Sequence, residues 1–368
     1  MKVAVIGGGW AGLAAAVDLT AAGVKTTLYE AGRQPGGRAR AIEVDGAVDN
    51  GQHILLGAYR ETLALMRQVG ADPDRLLERR PLAVYDPTGF HLALPHWPAP
   101  LNVAWGLLTA SGTGWREKLA TARWMESVKR RRFRLKEDLS VAEWLDAAGQ
   151  TGALRRHLWE PLCLAALNIP AERASAQIFA NVLRDSLGSS RRSDTDLLLP
   201  RTDLGQLLPT PAAQWLHDNS ATLSFGTRVG GLSANGDGIV IDETRFDAVI
   251  VATAPQHAEK LWPELTCDFD YEPIATVTFS STQQPDSTSP AKTVRKIWPV
   301  GRRPQPGVAR LRPERSRRMG NPERQRTGSS AGCGTGLTWS GHLAKSHPRK
   351  ARHFCLPSQA RPPGFRDL

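Results

Sequence analysis

The chain has 368 residues, 41% of them hydrophobic and 23% charged, the profile of a folded globular protein with room for two domains or one large composite one. Its formal net charge of +11 is concentrated at one end: residues 292–368 carry 18 Lys+Arg and 3 Asp+Glu, which leaves 29 against 33 in the 291 residues before them. A nucleic-acid partner argued from overall charge would rest on that tail alone, and none is expected.

Lys2–Ile6 reads as a short buried strand, Ala11–Ala22 as a helix with apolar Leu13, Ala16, Val17 and Leu19 that ends at Gly23, and Thr26–Tyr29 as a second strand. Strand, glycine turn, helix, strand is a right-handed parallel unit. The uncharged stretch Val3–Val17 is shorter than the roughly 20 residues a membrane span needs, and glycines interrupt it, so neither a leader nor a span is expected. The expected location is cytoplasmic. Ala41–Val48 reads as a hairpin turning at Asp45-Gly46, and Tyr59–Val69 as a helix stopped by Gly70. Leu82–Asp86 and Phe90–Leu94 form a second hairpin pattern, and Leu101 to about Leu187 is mostly helical, with a capping-box spacing at Ser140 and Glu143. Val229–Ser233 and Gly238–Asp242 flank a turn, and the apolar run Phe246–Val251 reads as a strand returning to the parallel sheet.

The order α/β, helical, α/β implies a discontinuous Rossmann-like nucleotide domain with a mostly helical substrate domain inserted into it. The expected division is 1–75 and 201–265 for the nucleotide domain, 76–200 for the insert, 266–291 for a strand region of the substrate domain, and 292–368 for a tail. That tail has nine Pro and nine Gly and no sustained apolar periodicity. Such a segment buries too little surface to offset its ordering entropy, so disorder is expected there. The four cysteines, Cys163, Cys267, Cys333 and Cys355, stand at no metal or redox spacing, and three of the nine histidines fall in the tail, so no metal site is expected.

The first chemical motif is Gly7-x-Gly9-x-x-Gly12, which follows a strand and opens a helix. Gly7 permits the tight turn, Gly9 lets a pyrophosphate approach the backbone, and Gly12 brings helix and strand close, with Ala11 in the helix's first turn. The helix N-terminus offers amide N–H groups and a partial positive charge to phosphate. Glu30 closes the second strand, where a carboxylate can accept from both ribose hydroxyls of an adenosine half and disfavours a 2′-phosphate. The second motif, Gly36-Gly37-Arg38, lies one short loop later: two glycines for close passage and an arginine for phosphate.

Gly7 through Arg38 resembles the N-terminal signature of the amine oxidase and phytoene desaturase group of flavoproteins, which implies FAD as cofactor. Asp49-Asn50-Gly51-Gln52-His53, Pro161–Asn168, Ser175–Leu187 and Asp196–Arg201 narrow the likeness, over roughly residues 1–285, to the hydroxysqualene dehydroxylase family, the squalene-associated FAD-dependent desaturases of hopanoid synthesis. The resemblance implies an oxidoreductase that removes the hydroxyl of hydroxysqualene with reduced flavin and an acid. It places Gly51, Gln52 and His53 near the isoalloxazine ring, and Val229, on a strand, at the adenine side. His53 is the candidate polar group near flavin or substrate, a structural hydrogen bond being the alternative; Asp194, Asp196 and Glu160 are candidate acids, and none is singled out. A carotenoid-type desaturase or amine oxidase, or a non-catalytic nucleotide-binding remnant, are the alternative functions.

Trp97, Trp105, Trp115 and Trp124 precede the run Lys129–Arg134. Tryptophan beside cations suits a membrane interface, so Trp97–Arg134 is a candidate peripheral contact with the inner membrane face, from which an isoprenoid lipid would be collected. A core aromatic cluster beside a solvated helix face is the alternative. Flavoproteins of the resembled group end on a Gly-Asp element and an ATxEGA-like helix start, and neither pattern follows Lys292. A change of reading frame near Pro285–Lys292 is the expectation; translation of the other two frames should then recover both patterns.

Overall fold

The computed structural model describes residues 1–43, 47–51, 53–236, 238–264, 269 and 271. The chain divides into two units, Met1–Phe269 and Asp270–Leu368, and every element below belongs to the first. The expected tail, and most of the expected strand region 266–291, lie outside the described residues, as do Gln52 and the turn at Asp45-Gly46.

The chain opens on β1 (Lys2–Ile6), α1 (Trp10–Ala21) and β2 (Lys25–Glu30). Val3, Ala4 and Val5 are buried on both sides of the sheet, which is why this strand reads as a continuous apolar run. α1 turns Leu13, Ala16 and Val17 inward and stops before Gly23, whose φ of +77° no side chain favours. There follow β3 (Ala41–Glu43), β4 (Ala47–Asp49), β5 (Leu55–Leu56), α2 (Arg60–Gln68), α3 (Pro73–Leu76), β6 (Leu77–Arg80), β7 (Ala83–Tyr85) and β8 (His91–Ala93). The helical stretch comprises α4 (Leu101–Thr109), α5 (Trp115–Arg130), α6 (Val141–Ala147), a π-helical turn at Arg155–Trp159, α7 (Glu160–Leu167) and α8 (Ala176–Asp185). The capping box forms as expected, Ser140 and Glu143 each closing on the other's backbone N–H. After a 3-10 turn at Arg192–Thr195 come β9 (Leu197–Pro200), α9 (Leu204–Leu207), α10 (Pro209–Asp218), β10 (Thr222–Phe225), β11 (Ser233–Asn235), β12 (Gly238–Ile241), β13 (Thr244–Phe246), β14 (Ala248–Val251) and α11 (Pro255–Leu261).

One four-stranded parallel sheet, in the order β10-β2-β1-β14, organises the nucleotide part. The returning strand β14 lies beside β1 as expected, with Val5 opposite Ile250. Its apolar run splits, however: Phe246 ends β13 of an antiparallel β11-β12-β13 meander, and Asp247 separates it from β14. β10, an edge strand, carries no clean alternation that would single it out; it forms because β2 offers it a free ladder. Val229 is on no strand, contrary to expectation: Gly230-Gly231 follow at once and confine the hairpin arm to β11.

β6 and β9 pair antiparallel, Leu77 opposite Pro200 and Arg80 opposite Leu197, with β5 on the other side of β9. The chain thus enters and leaves the helical part through adjacent strands. The helical part has its own core around Trp144, Leu145, Leu154, Phe179 and Leu183. A second core joins Leu13 and Val17 of α1 to Leu198, Leu207 and Leu216.

Candidate functional site

The site begins where β1 meets α1. Gly7 has φ +113°, and a Cβ there would lie 2.6 Å from the Ala252 carbonyl oxygen at the end of β14. A Cβ at Gly12 would lie 1.8 Å from the Gly7 carbonyl oxygen, so the helix comes this close only with glycine. Gly9 differs: nothing but the Gly37 Cα, at 4.0 Å, approaches its Cβ position, so the space in front of it is open. Gly9 is also the N-cap of α1, no side chain caps the helix, and no acid stands in its first turn, where Ala11 is exposed. Its leading N–H groups and partial positive charge are left facing that space.

The second glycine motif is stitched to the first. The Gly36 N–H donates to the Gly8 carbonyl at 2.7 Å, Gly9 and Gly36 form a parallel bridge, and the Trp10 indole N–H donates to the Ala39 carbonyl at 3.0 Å. Gly37, at φ +59°, therefore faces Gly9, and a Cβ on Gly37 would lie a tight 3.1 Å from the Gly9 Cα. Arg38 is exposed, and no ion pair holds its guanidinium among the described residues.

Glu30 ends β2 with both carboxylate oxygens fixed, Oε2 by the Gly8 N–H and Oε1 by the Gly32 N–H, each at 2.6 Å. A carboxylate has about four lone-pair sites, so two remain for hydroxyl donors. Gly8, the interior position of the first motif, has no role in the motif's spacing. It is needed because a Cβ there would come within 2.9 Å of the Glu30 Cβ. Nothing local in the sequence points to it, since the crowding atoms sit on the next strand.

Asn50 lies against the same loop. It donates from its backbone N–H to the Arg40 carbonyl and from Nδ2 to the Arg38 carbonyl, both at 2.9 Å. The His53 Nδ1 lies 3.0 Å from the Gly51 carbonyl, a pure acceptor, so Nδ1 carries the proton and Nε2 is left as an acceptor. Val229 is buried with Ala4, Ile6, Ile241 and Phe246, in a loop whose start is tied to β2 by the Thr227 N–H to the Glu30 carbonyl at 3.0 Å.

Two buried polar atoms beside this crevice have no protein partner, Arg40 Nε and Thr253 Oγ1. Arg40 Nη1 stands 3.5 Å from where a Gly32 Cβ would be, and Thr253 follows the Ala252 that abuts Gly7. An open glycine cradle at an uncapped helix start, a fixed carboxylate with spare lone pairs and two unpartnered polar groups fit the ADP half of FAD.

The three candidate acids are otherwise engaged. Asp194 is 1% exposed and paired with Arg60, and the Ser189 hydroxyl donates to it at 2.5 Å. Burial alone would raise its pKa, but the hydrogen bonds from Arg60 and Ser189 and the positive charge of Arg60 outweigh it and hold the carboxyl below its ordinary value. Asp196, also buried, meets Arg79 at 3.2 Å and Arg192 at 3.0 Å, and Glu160 accepts from Arg155 at 2.7 Å. The Asp194 carboxyl is thus held ionised, the opposite of what a proton donor requires, and the other two acids are committed to arginine partners. The Cys163 thiol, pushed up to about 11 chiefly by burial and then by Glu172 and Glu160, stays protonated and is no nucleophile.

The tryptophans of Trp97–Arg134 divide. Trp124 is core, edge-to-face with Trp144 and Trp159, whereas Trp97, Trp105 and Trp115 are exposed. No helix among the described residues is long and apolar enough to cross a membrane.

Comparison with known proteins agrees with this geometry. Residues 10–294 match the family model for flavin containing amine oxidoreductases. The chain is 28% identical over 311 residues to hydroxysqualene dehydroxylase of Rhodopseudomonas palustris, covering 77% of this chain and 69% of that protein. It is 27% identical over 294 residues to a probable zeta-carotene desaturase of Synechococcus elongatus, covering 72% of this chain and 60% of that protein. A solved oxidoreductase from Methanosarcina mazei superposes with a TM-score of 0.53 at 16% identity, over 73% of this chain and 62% of that one, a likeness of fold.

Proposed function

Because the chain belongs to the flavin containing amine oxidoreductase family, whose cofactor is FAD, we propose that it reduces an isoprenoid lipid, converting hydroxysqualene to squalene. The observation that carries the flavin half is the bridge between Gly9 and Gly36 beside the fixed carboxylate of Glu30. Amides at the start of α1 and the Arg38 guanidinium bind the pyrophosphate, Glu30 takes the ribose hydroxyls, and Gly51 and His53 line the flavin end. The backbone at Val229 meets the adenine side.

Removing the hydroxyl as water requires one proton on oxygen and one hydride on carbon. Bound FAD, once reduced, would supply the hydride. The protein's part is to hold the carbinol carbon against the ring, exclude water and deliver the proton. Nε2 of His53, left as an acceptor on a ring oriented by the Gly51 carbonyl, is the group proposed to accept from the substrate hydroxyl and orient it.

The isoprenoid half is supported by the names of two relatives, a hydroxysqualene dehydroxylase and a probable zeta-carotene desaturase. It is supported also by the exposed tryptophans of Trp97–Trp115 next to a basic run, a surface suited to peripheral contact with an anionic membrane. Protein loaded with FAD, reduced under anaerobic conditions and given hydroxysqualene in vesicles should form squalene. Bound flavin without squalene overturns the substrate assignment. Since one of these relatives is a probable carotene desaturase, oxidised protein with zeta-carotene is the second arm, and turnover there with none on hydroxysqualene would favour the desaturase reading.

A further inference from the structure

α4 carries no charged residue, and apart from the buried Asn102, which donates to the Thr195 hydroxyl at 3.3 Å, and Thr109 at its end, its side chains are apolar. Val103 and Leu107 turn inward against the helical core. Leu101, Trp105 and Leu108 turn outward, at 60%, 42% and 44% exposure, and Trp97 packs on Trp105 with ring centroids 4.8 Å apart. Between α4 and α5 lies a cavity of about 160 Å³, walled by Leu92, Val103, Leu107, Met125 and Trp159. Its rim includes Ala104 of α4 and Ala122 of α5, both exposed, so small side chains leave a mouth between the two helices.

A void of this kind in a packed interior forfeits contacts on every wall. An apolar cavity of about 150 Å³ stays dry and takes a guest the size of benzene, so this one has room for the branched end of a hydrocarbon chain, about one isoprene unit. Glu126 and Lys129 reach its edge, and the one polar wall group, Thr121, already donates to Gln150 at 2.5 Å. Nothing in the interior calls for a polar guest.

The surroundings of the mouth name the source. Residues 97–134 hold eight Lys+Arg and two Glu, in a chain whose first 291 residues otherwise carry more acid than base. The Lys118 ammonium lies over the Trp115 ring, 5.4 Å from its centroid, and donates to the Leu108 carbonyl at 2.7 Å, tying the end of α4 to the start of α5. Exposed tryptophan and leucine within a field of cations complement anionic headgroups above and acyl chains below.

We propose that the cavity between α4 and α5 is a port that receives the terminal prenyl unit of a bilayer-borne isoprenoid; this rests on the substrate reading above. The full chain, loaded with FAD, is bound to phosphatidylglycerol–phosphatidylcholine vesicles containing a farnesol tagged at its far end with a diazirine, then illuminated and mapped. Label should fall on the segments 101–109 and 121–129 and be competed by squalene. Ala104→Trp, and independently Ala122→Trp on the opposite lip, should cut it at least fivefold while flavin content and vesicle binding persist. Label spread over the surface, label undiminished in both variants, or equal labelling by a diazirine fatty acid overturns the proposal. Labelling that follows this pattern without squalene formation supports the port and counts against the reaction; squalene formation without it does the reverse.

Discussion

Gly8 is glycine because of a side chain on another strand. The Glu30 carboxylate reaches back to the Gly8 N–H at 2.6 Å, and its Cβ would crowd any Cβ at that position. Gly8→Ala should therefore push Glu30 off its place while leaving the sheet intact. FAD affinity, followed by flavin fluorescence quenching, should fall about tenfold, equivalent to ~1.4 kcal/mol, with a smaller change in Tm. An unchanged affinity would mean that Glu30 does not hold the ribose. A second residue-scale consequence concerns Asp194, whose carboxyl is held below its ordinary value against the pull of burial. Its contribution to stability is complete above the unfolded carboxylate pKa of about 3.9 and disappears as pH falls through the lower folded value. Asp194→Asn should cost about 1.5–3 kcal/mol near neutrality and flatten the acid limb of the stability–pH curve. An acid limb as steep as that of the unaltered protein would assign the pH dependence elsewhere.

At the scale of the element, α4 is unusual in having no polar face, which a soluble surface helix ordinarily has. Leu101 and Trp105 project outward and contribute little to the core, so the double change Leu101→Ser with Trp105→Ser should leave Tm almost unchanged. Partitioning onto anionic vesicles in a sedimentation assay should fall severalfold, since each large apolar side chain transferred contributes about 1.5–3 kcal/mol at most. Equal sedimentation of both forms would return these residues to the role of ordinary exposed apolar side chains. Trp124 marks the boundary of the face: it lies in the same stretch, yet packs between Trp144 and Trp159 and belongs to the core.

At the scale of the whole molecule, the pairing of β6 with β9 closes the helical part onto the nucleotide part, and Leu198 of β9 is buried in the same core as Leu13 and Val17 of α1. Leu198→Ala should cost about 2–5 kcal/mol and weaken FAD binding from a distance; denaturant midpoints with and without FAD check both. The sequence by itself determined the parallel unit of residues 1–40, the two glycine motifs, the capping box at Ser140 and the hairpins at 41–49 and 83–93, because periodicity, turn chemistry and capping act among residues a few positions apart. Only the tertiary structure decided that Phe246 leaves the returning strand for the meander, that Val229 sits in a loop, that Thr222–Phe225 joins the sheet edge, that Gly8 must clear Glu30, that Asp194 and Asp196 are locked in ion pairs, and that α4 backs a cavity. Each of those depends on atoms brought together from distant parts of the chain, and no local pattern encodes which partner a strand, a charge or an empty Cβ position will meet.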